Sequence, residues 1–297
     1  MPTRKRVNVR SDGGAAPPKA APPRSKPKLG QNFLRDRAAA ERIVAALGDV
    51  QMRTVVEIGP GHGILTELLA ARAMRLMAIE LDRVLAAQLR MKYARRPNVE
   101  IIEADVLAVN FVELLNRRPG PLLALPKEQL FTGKADVVGN LPYYITSDIL
   151  LHLFEAQAML DRVVVMVQRE VADRMSARAG GSDYGLLSAT TQLHARVEQL
   201  FTLPPDAFSP PPQVFSTVVR LTISPQWERL RVPRDAFLDF LKLSFGQKRK
   251  TLVNNLKEQY RDAAKALKQT GVREDARAET LTLDQAAAVF RSVSGAK

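Results

Sequence analysis

Four short signals in the sequence could act together as one chemical site, and Asn140-Leu141-Pro142-Tyr143 is the sharpest of them. Pro142 lacks an N–H and fixes its own φ. It also pushes Leu141 into an extended conformation. The Leu141 carbonyl is then held out of the turn as an acceptor, with the Asn140 side chain as a second acceptor and Tyr143 as a flat face. Two neutral acceptors and a ring suit a planar amine. The exocyclic amine of a purine is a poor nucleophile, because its lone pair is delocalised into the ring. Hydrogen bonds from that amine to two oxygens favour a pyramidal nitrogen and stabilise the positive charge that arrives when a sulfonium methyl is transferred. Preorganised electrostatics of this kind are worth about 3–4 kcal/mol per group. No general base is required, since the proton becomes acidic only after attack. Stacking on Tyr143 would offset part of the cost of taking a base out of its stack.

The other three signals suit an adenosine. Glu57-Ile58-Gly59-Pro60-Gly61-His62-Gly63 reads as a strand, a glycine-rich turn and the start of a helix. A dinucleotide fingerprint would have its third glycine one position later, where this chain has Ile64. Glu80 lies 21 residues after Gly59, where a carboxylate can accept both ribose hydroxyls. Asp105 can reach the amine of a bound adenine. Taken alone, the glycines could simply make a tight turn, and Glu80 and Asp105 could cap helices.

The elements that must position these residues alternate. Apolar runs at Val55–Ile58, 75–80, 98–102, 135–138 and 161–167 read as strands, with helical patterns at 64–72 and 82–91. Near-continuous apolar strands in β-α repeats imply a parallel sheet covered on both faces. Strands near 196–201 and 214–223 bring the total to seven in a mostly parallel, Rossmann-like α/β sheet. Gly59, Glu80, Asp105 and Asn140 each follow one of four successive strands, so they describe one crevice at the carboxyl edge of the sheet. Helical spacing at 234–245, 247–270 and 283–292 predicts a small all-helical C-terminal domain over 226–297, after an α/β domain over 28–225. The stretch 117–134 reads as an irregular insertion.

Composition excludes several classes. The chain has no Cys, which rules out disulfides, zinc ribbons, Fe–S clusters and a cysteine nucleophile. With three His it is unsuited to an all-histidine site, and no metal is expected. The net charge of +13 points to a polyanion, a membrane surface or an acidic partner. No apolar run reaches the length of a membrane span. Residues 1–28 carry eight Lys and Arg against Asp12 alone, among many prolines. Residues 1–27 are therefore read as a disordered basic tail. Its prolines oppose the amphipathic helix of a transit peptide. A soluble, cytoplasmic monomer is the expectation.

At this point the sequence resembles a known family, the ribosomal RNA adenine N6,N6-dimethyltransferases (the RsmA/KsgA family), related to the erythromycin-resistance methylases and mitochondrial transcription factor B. The resemblance covers about residues 28 to 292 and rests on an ordered series of motifs. It opens with Lys28-Leu29-Gly30-Gln31-Asn32-Phe33-Leu34 and continues through Glu57–Thr66, Ile79-Glu80-Leu81-Asp82, Ala104-Asp105-Val106-Leu107 and Asn140–Tyr143. Gln168-Arg169-Glu170-Val171-Ala172, Tyr184-Gly185-Leu186-Leu187-Ser188, Phe208-Ser209-Pro210-Pro211-Pro212 and Phe245–Thr251 follow. The resemblance implies S-adenosylmethionine as methyl donor, bound by Asn32, Leu34, Gly59, Gly61, Glu80, Asp105 and Asn140. It implies that Asn140, Leu141 and Tyr143 hold the target adenine, with Phe208 on the other face. By itself, Phe208 before a proline run reads more readily as a packing residue. The implied substrate is a pair of adjacent adenosines near the 3′ end of small-subunit (16S) rRNA, each dimethylated during subunit assembly.

Three positions depart from the family pattern: Gln213 and Phe215 stand where Lys and Asp are frequent, and Tyr144 stands where Asn is frequent, a harmless variation. Lys248, Arg249 and Lys250, with Lys242 and Lys257 nearby, read as a basic face on the helical domain, either a solvated surface or touching RNA phosphate. The competing functions are a large-subunit rRNA methyltransferase of the macrolide-resistance type, a non-catalytic RNA- or DNA-binding assembly or transcription factor on the same scaffold, and a DNA adenine or protein glutamine methyltransferase, which the C-terminal basic motif disfavours.

Overall fold

The computed structural model describes residues 32–117 and 133–295. Both the basic tail and most of the 117–134 insertion lie outside the described residues. Strands β2 (Thr54–Ile58), β3 (Arg75–Glu80), β4 (Val99–Glu103), β5 (Ala135–Asn140), β6 (Leu160–Gln168), β7 (Ala195–Leu203) and β9 (Ser216–Ile223) form one sheet in the order β4-β3-β2-β5-β6-β9-β7. The first five are parallel, and β9 runs antiparallel to both β6 and β7. Strand order reverses between β2 and β5, so the crevice opens beside Gly59 and Asn140. A separate two-stranded pairing joins β1 (Phe33–Leu34) to β8 (Phe208–Ser209).

Helices cover both faces because the strands are apolar on both. One core packs α4 (Phe111–Asn116), α5 (Thr146–Glu155) and α6 (Arg169–Ser176) against Val137, Val163, Val165 and Val219. The opposite core packs α1 (Arg37–Ala45), α2 (Ile64–Ala70) and α3 (Arg83–Tyr93) against Val55, Val138, Val164 and Val218. The helices start where capping side chains allow. Asp36 caps α1 by accepting from the Ala39 N–H, and Asp82 caps α3 by accepting from Val84 and Leu85.

Beyond the sheet, α8 (Trp227–Leu230), α9 (Arg234–Ser244), α10 (Leu252–Leu256), α11 (Ala263–Gln269) and α12 (Leu283–Ser294) share a core built on Phe237, Phe240 and Phe290. Tyr184 and two residues of α7 (Leu186–His194) join that core. His194 ends α7, stacked on Phe154 at 4.3 Å and edge-on to Trp227 at 5.0 Å. Burial and the nearby Arg234 push it down to about 3, so it stays neutral. The helix expected over 247–270 is two short helices instead. Thr251 caps a new start by accepting from the Asn254 N–H, and the polar run after Leu256 buries too little to continue.

The sheet is tightest where the crevice opens. Gly139 pairs with Ile58, and a Cβ on Gly139 would stand 2.6 Å from the Ile58 carbonyl oxygen. Gly139→Ala is therefore expected to cost about 1–3 kcal/mol by overpacking. A urea midpoint lowered to match supports this close approach, and an unchanged midpoint contradicts it.

Candidate active site

The glycine turn has the backbone that its residues require. Gly59, Gly61 and Gly63 have φ of 65°, 56° and 83°, in the left-handed region. Gly61 also has no room for a side chain, since a Cβ there would lie 2.6 Å from the Phe33 ring. Phe33 in turn packs against His62, with ring centroids 4.4 Å apart.

Glu80 ends β3 and ties this turn to the rim. One carboxylate oxygen accepts the Gly61 N–H at 3.0 Å and the other accepts the Asp82 N–H at 2.9 Å. A carboxylate offers about four lone-pair sites. Two therefore remain for a ribose diol, and the donor set fits an adenosine. Asp82, not Glu80, caps the next helix. Asp105 is exposed, and one of its oxygens accepts the Leu107 N–H at 3.0 Å, so it does cap a short 3₁₀ turn. Its second oxygen is left to reach a ligand.

Asn140 ends β5, and its amide nitrogen donates to the Asn32 backbone carbonyl at 2.7 Å. A carbonyl can only accept, so this bond fixes the amide orientation and frees the side-chain oxygen as an acceptor. The Leu141 N–H donates to the Met166 carbonyl at 3.1 Å, and its side chain is buried. Among the described residues no donor pairs with the Leu141 carbonyl. The turn beyond is pinned, because the Pro142 carbonyl accepts from the Ile145 N–H at 3.2 Å and from the Thr146 hydroxyl at 3.0 Å. The Tyr143 hydroxyl shares a 2.6 Å hydrogen bond with the Ser216 hydroxyl on β9, which holds the half-buried ring beside Asn140.

One expectation needs correction. Phe208 is 1% exposed and packs in the core with Leu34, Leu203 and Val218, so its ring offers no face to the crevice. The packing reading of Phe208, favoured by the residue alone, is the one realised. Leu34 is buried in the same core, which leaves only its backbone to meet a ligand. Lys248, Arg249 and Lys250 are exposed in the connection between α9 and α10. Lys242 is paired with Asp239 at 3.0 Å.

Two residues at the site escaped the sequence reading. Leu81, beside Glu80, is an apolar side chain 50% exposed at the rim. Its signal was an apolar residue lodged between two acids just past a strand. Glu57 lies beneath the turn, fully buried. Its Oε2 and the Tyr93 hydroxyl are buried without hydrogen-bond partners. Burial, reinforced by the neighbouring Glu80 and only partly offset by Thr66, pushes the Glu57 carboxyl up to about 8. Among the described residues no group of three or more His, Cys, Asp or Glu could hold a metal.

Comparison with known proteins gives one consistent result. The family model described as ribosomal RNA adenine dimethylase matches residues 23–294. The "Ribosomal RNA small subunit methyltransferase A" of Koribacter versatilis is 55% identical over 93% of this chain and 96% of that protein. The protein of the same name from Acidobacterium capsulatum is 53% identical over 96% of this chain and 99% of its own length. Among solved structures, the 23S rRNA methyltransferase ErmE aligns with a TM-score of 0.63 at 28% identity, over 89% of this chain and all of that one. A dimethyladenosine transferase from Plasmodium falciparum aligns with a TM-score of 0.69 at 22% identity, over 86% of this chain and 95% of its own, and attests the fold.

Glu57 provides a pH test of the buried site. In the folded chain its proton is held to about 8, and in the unfolded chain only to about 4.5. Between those values the folded state binds more protons, so its stability falls as pH rises, by about 1.4 kcal/mol per unit from this group. Glu57→Gln removes that dependence. Its stability relative to the parent is expected to improve steadily from pH 5 to pH 8 in urea titrations. A constant difference across that range would contradict a protonated Glu57.

Proposed function

The chain belongs to the ribosomal RNA adenine dimethylase family, and from that footing we infer that it is a small-subunit enzyme with its target site at Asn140–Tyr143. It is an S-adenosylmethionine-dependent methyltransferase that dimethylates adenine N6 in small-subunit rRNA. The finer statements are ours. The substrate is two adjacent adenosines near the 3′ end, modified during subunit assembly, and the enzyme works as a cytoplasmic monomer. Among the described residues no helix is long and apolar enough to cross a membrane. The large-subunit alternative is disfavoured, because relatives named for the small subunit reach 53–55% identity while ErmE reaches 28%. A purely non-catalytic role is disfavoured by the intact Gly59, Glu80 and Asn140.

In this reading Glu80 accepts from the donor's ribose, Asp105 from its adenine amine, and Leu81 covers an apolar edge. The backbone at Asn32, Leu34, Gly59 and Gly61 lines the remainder of the donor site. When bound, S-adenosylmethionine supplies a methyl group on a sulfonium. The target N6 is gripped by the Asn140 side-chain oxygen and the Leu141 carbonyl, and Tyr143 supports the ring. These oxygens localise the nitrogen lone pair and stabilise the ammonium that forms on it. The proton then leaves to water, with no ionisable side chain needed as base. Alignment of the two reacting atoms supplies most of the remaining rate. Lys248, Arg249 and Lys250, exposed and in none of the ion pairs among the described residues, are the proposed phosphate contacts.

The observation that carries this reading is the 2.7 Å bond from the Asn140 amide nitrogen to the Asn32 carbonyl, which leaves a neutral oxygen facing the crevice. Asn140→Ala is expected to keep the fold and lower turnover about 10²–10³-fold, the equivalent of about 3–4 kcal/mol. Labelled methyl donor, undermethylated small subunits and nucleoside mass analysis test both the product and the loss. Equal turnover of variant and parent would overturn the role of Asn140.

A further inference from the structure

Among the described residues two aromatic side chains are strongly exposed, Tyr144 at 64% and Phe215 at 43%. Scattered apolar side chains on a surface need no explanation, but both of these fall on one rim. Asn140 pairs with Met166 of β6, and Gln168, at the end of β6, pairs with Ser216 of β9. Asn140, Arg169 and Phe215 therefore stand at the same edge of three neighbouring strands. Tyr143 spans that edge through its 2.6 Å bond to Ser216, and Tyr144 follows it in the chain. Val214, next to Phe215, is also exposed.

Phe215 is held in place. Its carbonyl accepts the Arg169 N–H at 3.0 Å, and the Arg169 guanidinium lies 5.2 Å from its ring centroid. That cation–π arrangement steadies the ring. Arg169 is itself exposed and makes no ion pair among the described residues, so it presents a positive charge beside an aromatic face. Aromatic rings with an arginine alongside are the elements with which proteins hold single-stranded nucleic acid, the rings stacking bases and the cation meeting phosphate. The patch is continuous with the crevice that takes the target adenine.

We propose that Phe215 and Tyr144, with Arg169 beside them, form a ledge that stacks the base adjacent to the target adenosine and so positions the RNA strand. This rests on the reading of Asn140–Tyr143 as the target site. When one adenosine of an adjacent pair enters the crevice, the ledge receives its neighbour.

The test is steady-state methylation of undermethylated small subunits by the full chain and by the variants Phe215→Ala, Tyr144→Ala and Phe215→Trp. Loss of one stacked base weakens binding about 5- to 150-fold. Each alanine variant is therefore expected to raise KM for subunits by that factor, with kcat and donor affinity unchanged. Phe215→Trp keeps a stacking face and is expected to retain the parent KM. An unchanged KM in Phe215→Ala, or a Phe215→Trp as impaired as the alanine variant, overturns the ledge while leaving the target site standing. A parent chain that transfers no methyl to the subunits overturns the functional reading, and the ledge falls with it.

Discussion

A side-chain amide carries one donor group and one acceptor, and in Asn140 the donor is committed to the Asn32 backbone carbonyl. That single bond decides which way the amide faces, and much of the surrounding structure serves to keep it there. Gly139 lets β5 close on β2 so that Asn140 sits beside Gly59. Pro142 and Thr146 fix the following turn, and Ser216 anchors Tyr143 from two strands away. The segment that supplies Asn32 is tied down in turn, because β1 pairs with β8 and Phe33 closes over Gly61. An uncharged acceptor is thus held by contacts from three distant parts of the chain.

The half of the crevice proposed for the methyl donor depends on a different constraint, the placement of negative charge. Glu80 is buried, yet both of its oxygens accept backbone N–H groups, so its carboxylate is satisfied before any ligand arrives. Glu57, one strand over, has no such partners for Oε2 and holds its proton instead. Burial thereby keeps this second carboxyl under the turn protonated at neutral pH. A similar economy appears at the far end of the sheet, where the fully buried Asp136 is met by both Arg53 and Arg162, at 2.6 Å and 3.1 Å.

Much of this was legible in the sequence because strand ends carry local signals. Glycines needing positive φ, an acid ending a strand and a proline after an asparagine each state their own backbone requirement. The order of strands placed them on one rim. What was not legible depends on contacts distant in sequence. Nothing near Phe208 reveals that its ring is packed with Leu34, some 174 positions earlier, since β-pairing of such short segments leaves no periodicity. The 247–270 stretch has helical composition throughout, and only the buried set of Leu252, Leu256, Ala263 and Leu267 decides where it breaks. The exposure of Phe215 likewise follows from the pairing of Gln168 with Ser216, which no local pattern encodes.

The central claim is that neutral oxygens, not a base, prepare the target nitrogen. The most direct measurement is the single-turnover rate of methyl transfer, with donor and subunits both saturating, as a function of pH. With no titrating base in the site, the rate constant is predicted to stay flat from pH 6 to pH 7.5, below the pH of about 8 at which Glu57 is half-ionised. A rate that climbs about tenfold per pH unit across that interval would reveal an ionising catalytic base and contradict the account.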